Sequence, residues 1–279
     1  MIKMSDIVAD IEFLPPFSKV AQKALTLIRK DDFSMKDLTE LIRYDPSLTA
    51  NVLKVANSAA FATTREVSDL QTALSLLGVN QMTSIIMMSA AKQYFEKHHE
   101  GYEFYQGELW EHSLSVAVIS VELQRYAPDV DEAILFTAAL LHDIGKIILS
   151  QYVADEYEKI VQLIREQDID FTTAERKIIG FTHPVVGSAI LKKWNFGRTI
   201  TDVAKYHQTP ERVDNPYVDL VALADFISFL IGKVSQKDAL AYSGYERLLM
   251  KYNIKSKELE GIITGATDRI TDLVENLQA

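Results

Sequence analysis

The sequence predicts an all-α protein, and three features carry that expectation. Apolar residues recur at helical spacing in segment after segment, helix-capping residues punctuate the chain throughout, and neither an alternating strand nor a hairpin turn is convincing anywhere. The 279 residues are 48% hydrophobic and 24% charged, an ordinary globular balance that can bury a sizeable core as one large domain or two modest ones.

Pro15 and Pro16 precede the apolar-periodic run Val20, Ala24, Leu27, Ile28, so a helix entered through proline is expected there. Ser34 to Asp37 has the outline of a capping box ahead of LTELIRY. Asp45 and Pro46 read as the N-cap and first-turn proline of PSLTANVLKVANSAAF, at whose end Asn57 and Ser58 suit helix-end chemistry or a lobe contact. Asp69 can cap LQTALSLL, which Gly78 would end in a left-handed conformation before Asn80 opens QMTSIIMMSAAKQYF. That pair has a helix-turn-helix outline. Only Asn80 and Gln81 are polar at the start of its second helix, however, and no Lys or Arg follows until Lys92, so two packed core helices are expected.

The stretch HHEGYEFYQGE, polar and aromatic with two glycines, marks the expected boundary between two helical lobes, 1–100 and 101–279. Beyond it helices are expected near 108–126, 131–149, 153–167, 172–180, 184–194, 199–208, 217–232, 239–250 and 256–277.

Charge and composition narrow the function. The formal charge is −10, of which residues 1–100 hold −1 and the remainder −9. An acidic surface repels a phosphate backbone, which disfavours nucleic acid as the main partner, and it favours a cation site in the second half. There is no cysteine, which excludes disulfides and thiolate ligands and suits a reducing compartment. The start lacks a secretory pattern and no stretch approaches a membrane span, so a soluble cytoplasmic protein without a membrane partner is expected.

Of six histidines, His98 and His99 fall in the boundary stretch and read as solvated. The other four, His112, His142, His183 and His207, sit in helical contexts, where each alone would more often be structural. Two carboxylates change the balance: Asp143 ends a run of Ala and Leu, and Asp225 lies inside LVALADFISFLIG. A carboxylate in such surroundings is costly without a cation, a metal or several donors, and basic residues are sparse nearby. Imidazole and carboxylate together suit iron, manganese, zinc or magnesium-class ions. Glu108 stands at i−4 to His112 on the same helix face, although an acid in a first turn is common for dipole reasons alone. Gly145 allows close helix approach or a bend after the His142-Asp143 dyad, and His183 before Pro184 fits an N-cap.

In order and approximate spacing, His112, His142-Asp143, His183, His207 and Asp225 resemble the HD superfamily of metal-dependent phosphohydrolases. The longer phrases LPPFSKVAQKAL, LIRYDPSLTANVLKVANSAAF, LQTALSLLGVNQM, LWEHSLSVA, LLHDIGKIIL and THPVVGSAILKKWNF are similar to HDOD proteins over roughly the first four-fifths of the chain. That resemblance implies an HD-like C-terminal bundle and a bacterial regulatory module whose partners are signalling proteins or a small phosphorylated ligand. Many HDOD proteins have lost metal ligands, whereas here every core position is filled. The chain also resembles HD-GYP phosphodiesterases at Glu108, His112, His142, Asp143, Lys146, His183, His207 and Asp225. It lacks their Gly-Tyr-Pro signature, carrying QTPERVDNPYVDL after His207 instead, and Tyr206 stands where those enzymes, and many HDOD proteins, have a second histidine.

The resemblance implies a divalent centre of one ion or two. His112, His142, Asp143 and Asp225 would hold a first ion, Asp143 would bridge to a second held by His183 and His207, and Glu108 would join a third position. Were the protein an enzyme, Asp143 and Lys146 would be catalytic, with Lys146 pairing to a phosphate oxygen. A non-catalytic signalling module is placed ahead of a nucleotide or cyclic-nucleotide phosphohydrolase, because fold does not confer activity.

Overall fold

Helix-capping side chains organise the N-terminal half much as the sequence indicates. The computed structural model describes residues 4–30, 33–43, 45–58, 66–95, 102, 107–232 and 245–278. Among them are fourteen α-helices and no strand. Helices α1 (Met4–Phe13), α2 (Lys19–Leu27), α3 (Met35–Ile42), α4 (Pro46–Ala56) and α5 (Leu70–Phe95) make up the N-terminal set. Pro15 and Pro16 stay outside α2, which starts at Lys19 under a Ser18 cap accepting from the Ala21 amide at 3.3 Å. Ser34 caps α3, Asp45 caps α4 by accepting from Leu48 N at 3.0 Å, and Asp69 accepts from Thr72 N at 2.8 Å ahead of α5.

Asn57 closes the loop after α4. Its Nδ2 donates to the carbonyls of Leu53 and Val67, and its Oδ1 accepts from Val67 N at 2.8 Å. This local clamp, rather than a lobe contact, is what the helix-end asparagine does.

Gly78 (φ 76°, ψ 176°) breaks α5 with an extended positive-φ residue instead of the expected left-handed cap. The second part of α5 packs inward: Met82 to Met88 are all buried, which leaves no helix face to read a DNA groove. By length and composition α5 does match a membrane-crossing helix, contrary to expectation, yet 61% of its apolar window is buried inside the protein.

The C-terminal set comprises α6 (Glu108–Leu123), α7 (Glu132–Leu140), α8 (Lys146–Gln167), α9 (Phe171–Ile178), α10 (His183–Lys193), α11 (Arg198–Tyr206), α12 (Pro216–Leu230), α13 (Tyr245–Lys251) and α14 (Ser256–Gln278). Helices α6, α7 and α12 are apolar almost all round, as central helices must be, and α6 packs against α5, α7, α12 and α14. The apolar core runs without a break from the N-terminal set into these helices. Phe17, Tyr94, Trp194 and Phe196 cluster where the sets meet, and Lys193 donates to the carbonyls of Ile11, Glu12 and Leu14 at the end of α1. Most of the expected boundary stretch, including His98 and His99, lies outside the described residues, as does the first half of the helix expected near 239–250.

One expected helix is not continuous. The stretch 131–149 divides into α7 and the start of α8, and residues 141–145 form a turn between them. The cause is a close crossing by α10. A Cβ at Gly145 would lie 2.0 Å from the His183 carbonyl oxygen and 2.6 Å from the Gly187 nitrogen. The chain therefore bends where only glycine lets two backbones touch. Gly145→Ala should destabilise the fold by about 3 kcal/mol or more, since backbone must move to admit the methyl group. An unchanged denaturation midpoint would show that the crossing is not tight.

Candidate metal centre

The break between α7 and α8 places His142 and Asp143 in the middle of the helical set. His112 reaches them from α6, His183 from the first residue of α10, His207 from just past α11, and Asp225 from α12. None of the six is more than 2% exposed. His183 is the first helical residue of α10 rather than its N-cap, which is Thr182.

All four imidazoles are held by Nδ1, so that Nε2 points to the middle. His142 Nδ1 donates to the Ala139 carbonyl at 2.7 Å, and His207 Nδ1 donates to the Ala204 carbonyl at 3.0 Å. Each acceptor lies three residues back near a helix C-terminus, where carbonyls lack helical partners. His112 Nδ1 faces the Ser228 hydroxyl at 3.2 Å, and that hydroxyl donates to the Asp225 carbonyl. His183 Nδ1 lies 3.0 Å from both carboxylate oxygens of Glu175, which also accepts from the His183 amide and from the Tyr102 hydroxyl at 2.5 Å. A ring whose Nδ1 carries the proton presents the lone pair of Nε2, the form that binds metal.

Asp143 sits between two pairs of these atoms. Its Oδ2 is 3.4 Å from Nε2 of both His112 and His142, and its Oδ1 is 3.4 Å from His183 Nε2 and 3.5 Å from His207 Nε2. Asp225 Oδ1 lies 3.2 Å from His112 Nε2 and 3.9 Å from His142 Nε2. Two ligands each about 2.1 Å from one ion stand about 3.0–3.4 Å apart at octahedral or tetrahedral angles, so most of these spacings suit shared coordination. His142 Nε2, His183 Nε2, His207 Nε2 and Asp143 Oδ1 are buried without a hydrogen-bond partner. Buried polar atoms left in that state are costly, and four gathered around one carboxylate fit a divalent centre. Two overlapping groups, His112 with His142 and Asp225, and His142 with Asp143 and His207, each bring their ligand atoms within 4.8 Å of one another.

The electrostatics call for positive charge. Burial opposes ionisation of Asp143, but Lys146, with Nζ at 2.8 Å, and then His142 and His112 hold its carboxyl well below the usual range. Burial likewise opposes ionisation of Asp225, and His112 brings it down to about 2. Burial also disfavours charge on His112, yet its contacts with Asp143 and Asp225 carry it up to about 9. His207 goes the other way, because burial outweighs its contact with Asp143 and lowers it.

Glu108 is not among the residues gathered here. It lies exposed in the first turn of α6, where an acid suits the helix dipole. Lys146 is brought to the centre, where it is buried, bound to Asp143, and 5.4 Å from the Tyr102 ring centre. The sequence reading did not single out the residues that orient the ligands: Glu175, Tyr102, Ser228, and Gln208, whose amide donates to Asp225 Oδ2 at 3.1 Å.

The HDOD domain family matches residues 14–210, most of the chain. The chain belongs to the HDOD family. Solved structures with the same fold include an HDOD domain protein of Geobacter sulfurreducens, at 23% identity and TM-score 0.74, covering 98% of this chain and 92% of that one. A proposed phosphohydrolase of Shewanella amazonensis SB2B matches at 20% identity and TM-score 0.73, covering 97% of each chain. A proposed signal-transduction protein of Marinobacter aquaeolei VT8 matches at 22% and TM-score 0.70, covering 99% of this chain and 60% of that one. An uncharacterized protein of Treponema pallidum (strain Nichols) is 20% identical over 231 residues, 82% of this chain, which spans only 43% of that relative's length.

Glu175 supplies the test of the orienting network. Glu175→Gln keeps the shape but removes the charge behind His183, and it should weaken metal retention by about 10–100-fold in competition with a chelator. Equal retention by the two proteins would reduce Glu175 to a packing role.

Proposed function

We propose that this HDOD protein is a regulatory signal-transduction module whose HD pocket holds a divalent centre without turning over substrate. One observation carries the reading: His112, His142, Asp143, His183, His207 and Asp225, the six candidate ligands gathered at the centre, are each at most 2% exposed. Catalytic metal sites keep a position open to substrate or water, whereas structural ones are closed by protein ligands. The departures after His207, where Gln208 bonds Asp225, point the same way. The name of the Marinobacter relative as a proposed signal-transduction protein agrees with it.

In this reading His112, His142, Asp143 and Asp225 would hold one ion, and Asp143 would share a second with His183 and His207. Iron, manganese, zinc and magnesium-class ions all suit this donor set. The input would come from signalling proteins or from a small phosphorylated ligand.

A metal-dependent phosphohydrolase acting on a nucleotide or cyclic nucleotide is the second reading, favoured by the position of Lys146 beside Asp143. A bound ion would supply Lewis acidity there. Lys146 would have to exchange Asp143 for a phosphate oxygen, and the pocket would have to open. The name of the Shewanella relative agrees with this reading.

Protein purified without chelator should contain near-stoichiometric metal, and Asp143→Ala should lose it; a folded variant that retains its metal refutes the ligand scheme. Stripping the metal should also lower the melting temperature, because an ion bound only by the native state stabilises it by mass action. Steady hydrolysis of a phosphoester panel, abolished in Asp143→Ala, would overturn the non-catalytic reading in favour of the second.

A further inference from the structure

A second site lies where α2 and α3 face the turn between α10 and α11. This open cleft has a volume of about 1380 Å³ and is separate from the buried histidines. Its lining carries five cations, Lys19, Lys23, Arg29, Lys30 and Arg198, against two acids, Asp37 and Glu40. That is a local excess of positive charge on a chain of net charge −10. All five cations are exposed. Arg198 pairs with Asp202, and Glu40 with Arg43, whereas Lys19, Lys23, Arg29 and Lys30 make no ion pair among the described residues. Asp31 and Asp32, next in sequence, lie outside those residues. Lys19 and Lys23 stand at i and i+4 on α2, a helix with no acid of its own, so their mutual repulsion costs helix stability and asks for an anion.

The far wall is apolar and preformed. Phe196, Ile200, Ile134 and Leu25 line it, with Ile200, Ile134 and Leu25 buried in the core behind. Phe196 is held by its contact with Phe17, ring centres 5.2 Å apart, and by its amide donating to the Leu191 carbonyl at 2.9 Å. Asn195, at φ 60°, closes that C-terminal turn of α10, and the Gln22 amide of α2 donates to the Trp194 carbonyl beside it. The two walls are therefore tied together before any ligand arrives, which lowers the ordering cost of binding.

We propose that this cleft binds a nucleoside polyphosphate, with the phosphates on the lysine row of α2 and Arg198 and the base against Phe196 and its apolar neighbours. A cationic rim beside an aromatic and aliphatic wall matches a ligand that is anionic at one end and flat and apolar at the other. The cleft volume exceeds what a lone phosphate needs. The turn it contacts joins the helix that begins at His183 to the helix that ends beside His207, so a ligand here touches the element carrying two candidate metal ligands. The proposal deepens the signalling reading by naming where a phosphorylated input enters, and it does not depend on the metal centre.

Calorimetric titration of the full chain with ATP, GTP and inorganic tripolyphosphate tests it, on protein as purified and on chelator-dialysed protein. Saturable one-site binding of a nucleotide is expected, unchanged by dialysis and weakened by raised salt. The surface double variant Lys19→Glu/Lys23→Glu should keep the wild-type melting curve and lose about tenfold or more in affinity. Unchanged affinity in that variant, no saturable binding by any probe, or binding that disappears with the metal would each overturn the proposal. Tripolyphosphate binding as tightly as either nucleotide would overturn its nucleoside part. Absence of metal from the protein as purified, with nucleotide binding intact, would count against the metal reading alone.

Discussion

Burying the Asp143 carboxylate to 1% exposure costs several kcal/mol unless cations and donors surround it, and much of the C-terminal half is built to surround it. Four imidazole nitrogens and the Lys146 ammonium stand within 3.5 Å of its two oxygens. Reaching those positions requires α6, α10 and α11 to converge on the α7–α8 turn, and that convergence in turn requires Gly145 to admit the backbone of α10. The electrostatic demand of one side chain and the steric allowance of one glycine thus meet in a five-residue turn, 141–145. Polar groups inside an apolar core are tolerable only when paired, which is why the turn and its surroundings form a network rather than a scatter of polar residues.

Much of this was legible in the sequence. Capping residues at Ser34, Asp45 and Asp69 announced helix starts that the structure places close to where they were expected. The four histidines and two aspartates stood out because ionisable groups in Ala- and Leu-rich stretches demand an explanation. What stayed hidden depended on tertiary contact. The split of 131–149 could not be read from periodicity, because AILFTAALLHDIGKIIL is apolar on both sides of the break. Glu108 looked placed for the centre by its spacing from His112, but it is the first residue of α6 and stays exposed at the end of the helix.

Glu175 illustrates the opposite failure. In TTAERKII it sits beside Arg176 and Lys177 and reads as part of a solvated face. It is fully buried because α9 comes to rest under the start of α10, where the carboxylate meets both the amide and the ring of His183. No spacing rule connects positions 175 and 183, and none connects either to Tyr102. The relation exists only once the chain has folded.

The imidazole anchors divide into two kinds, and the division governs how such a centre can decay over descent. His142 and His207 lean on the main-chain oxygens of Ala139 and Ala204, which no side-chain replacement removes. His112 and His183 lean on Ser228 and Glu175, which a single base change can delete. Half of the supporting shell is therefore inherited with the helices themselves and leaves no trace for sequence comparison. A lineage that ceases to need the ion would shed the serine and the glutamate early, while the carbonyls kept pointing at the same place for as long as α7 and α11 ended where they do.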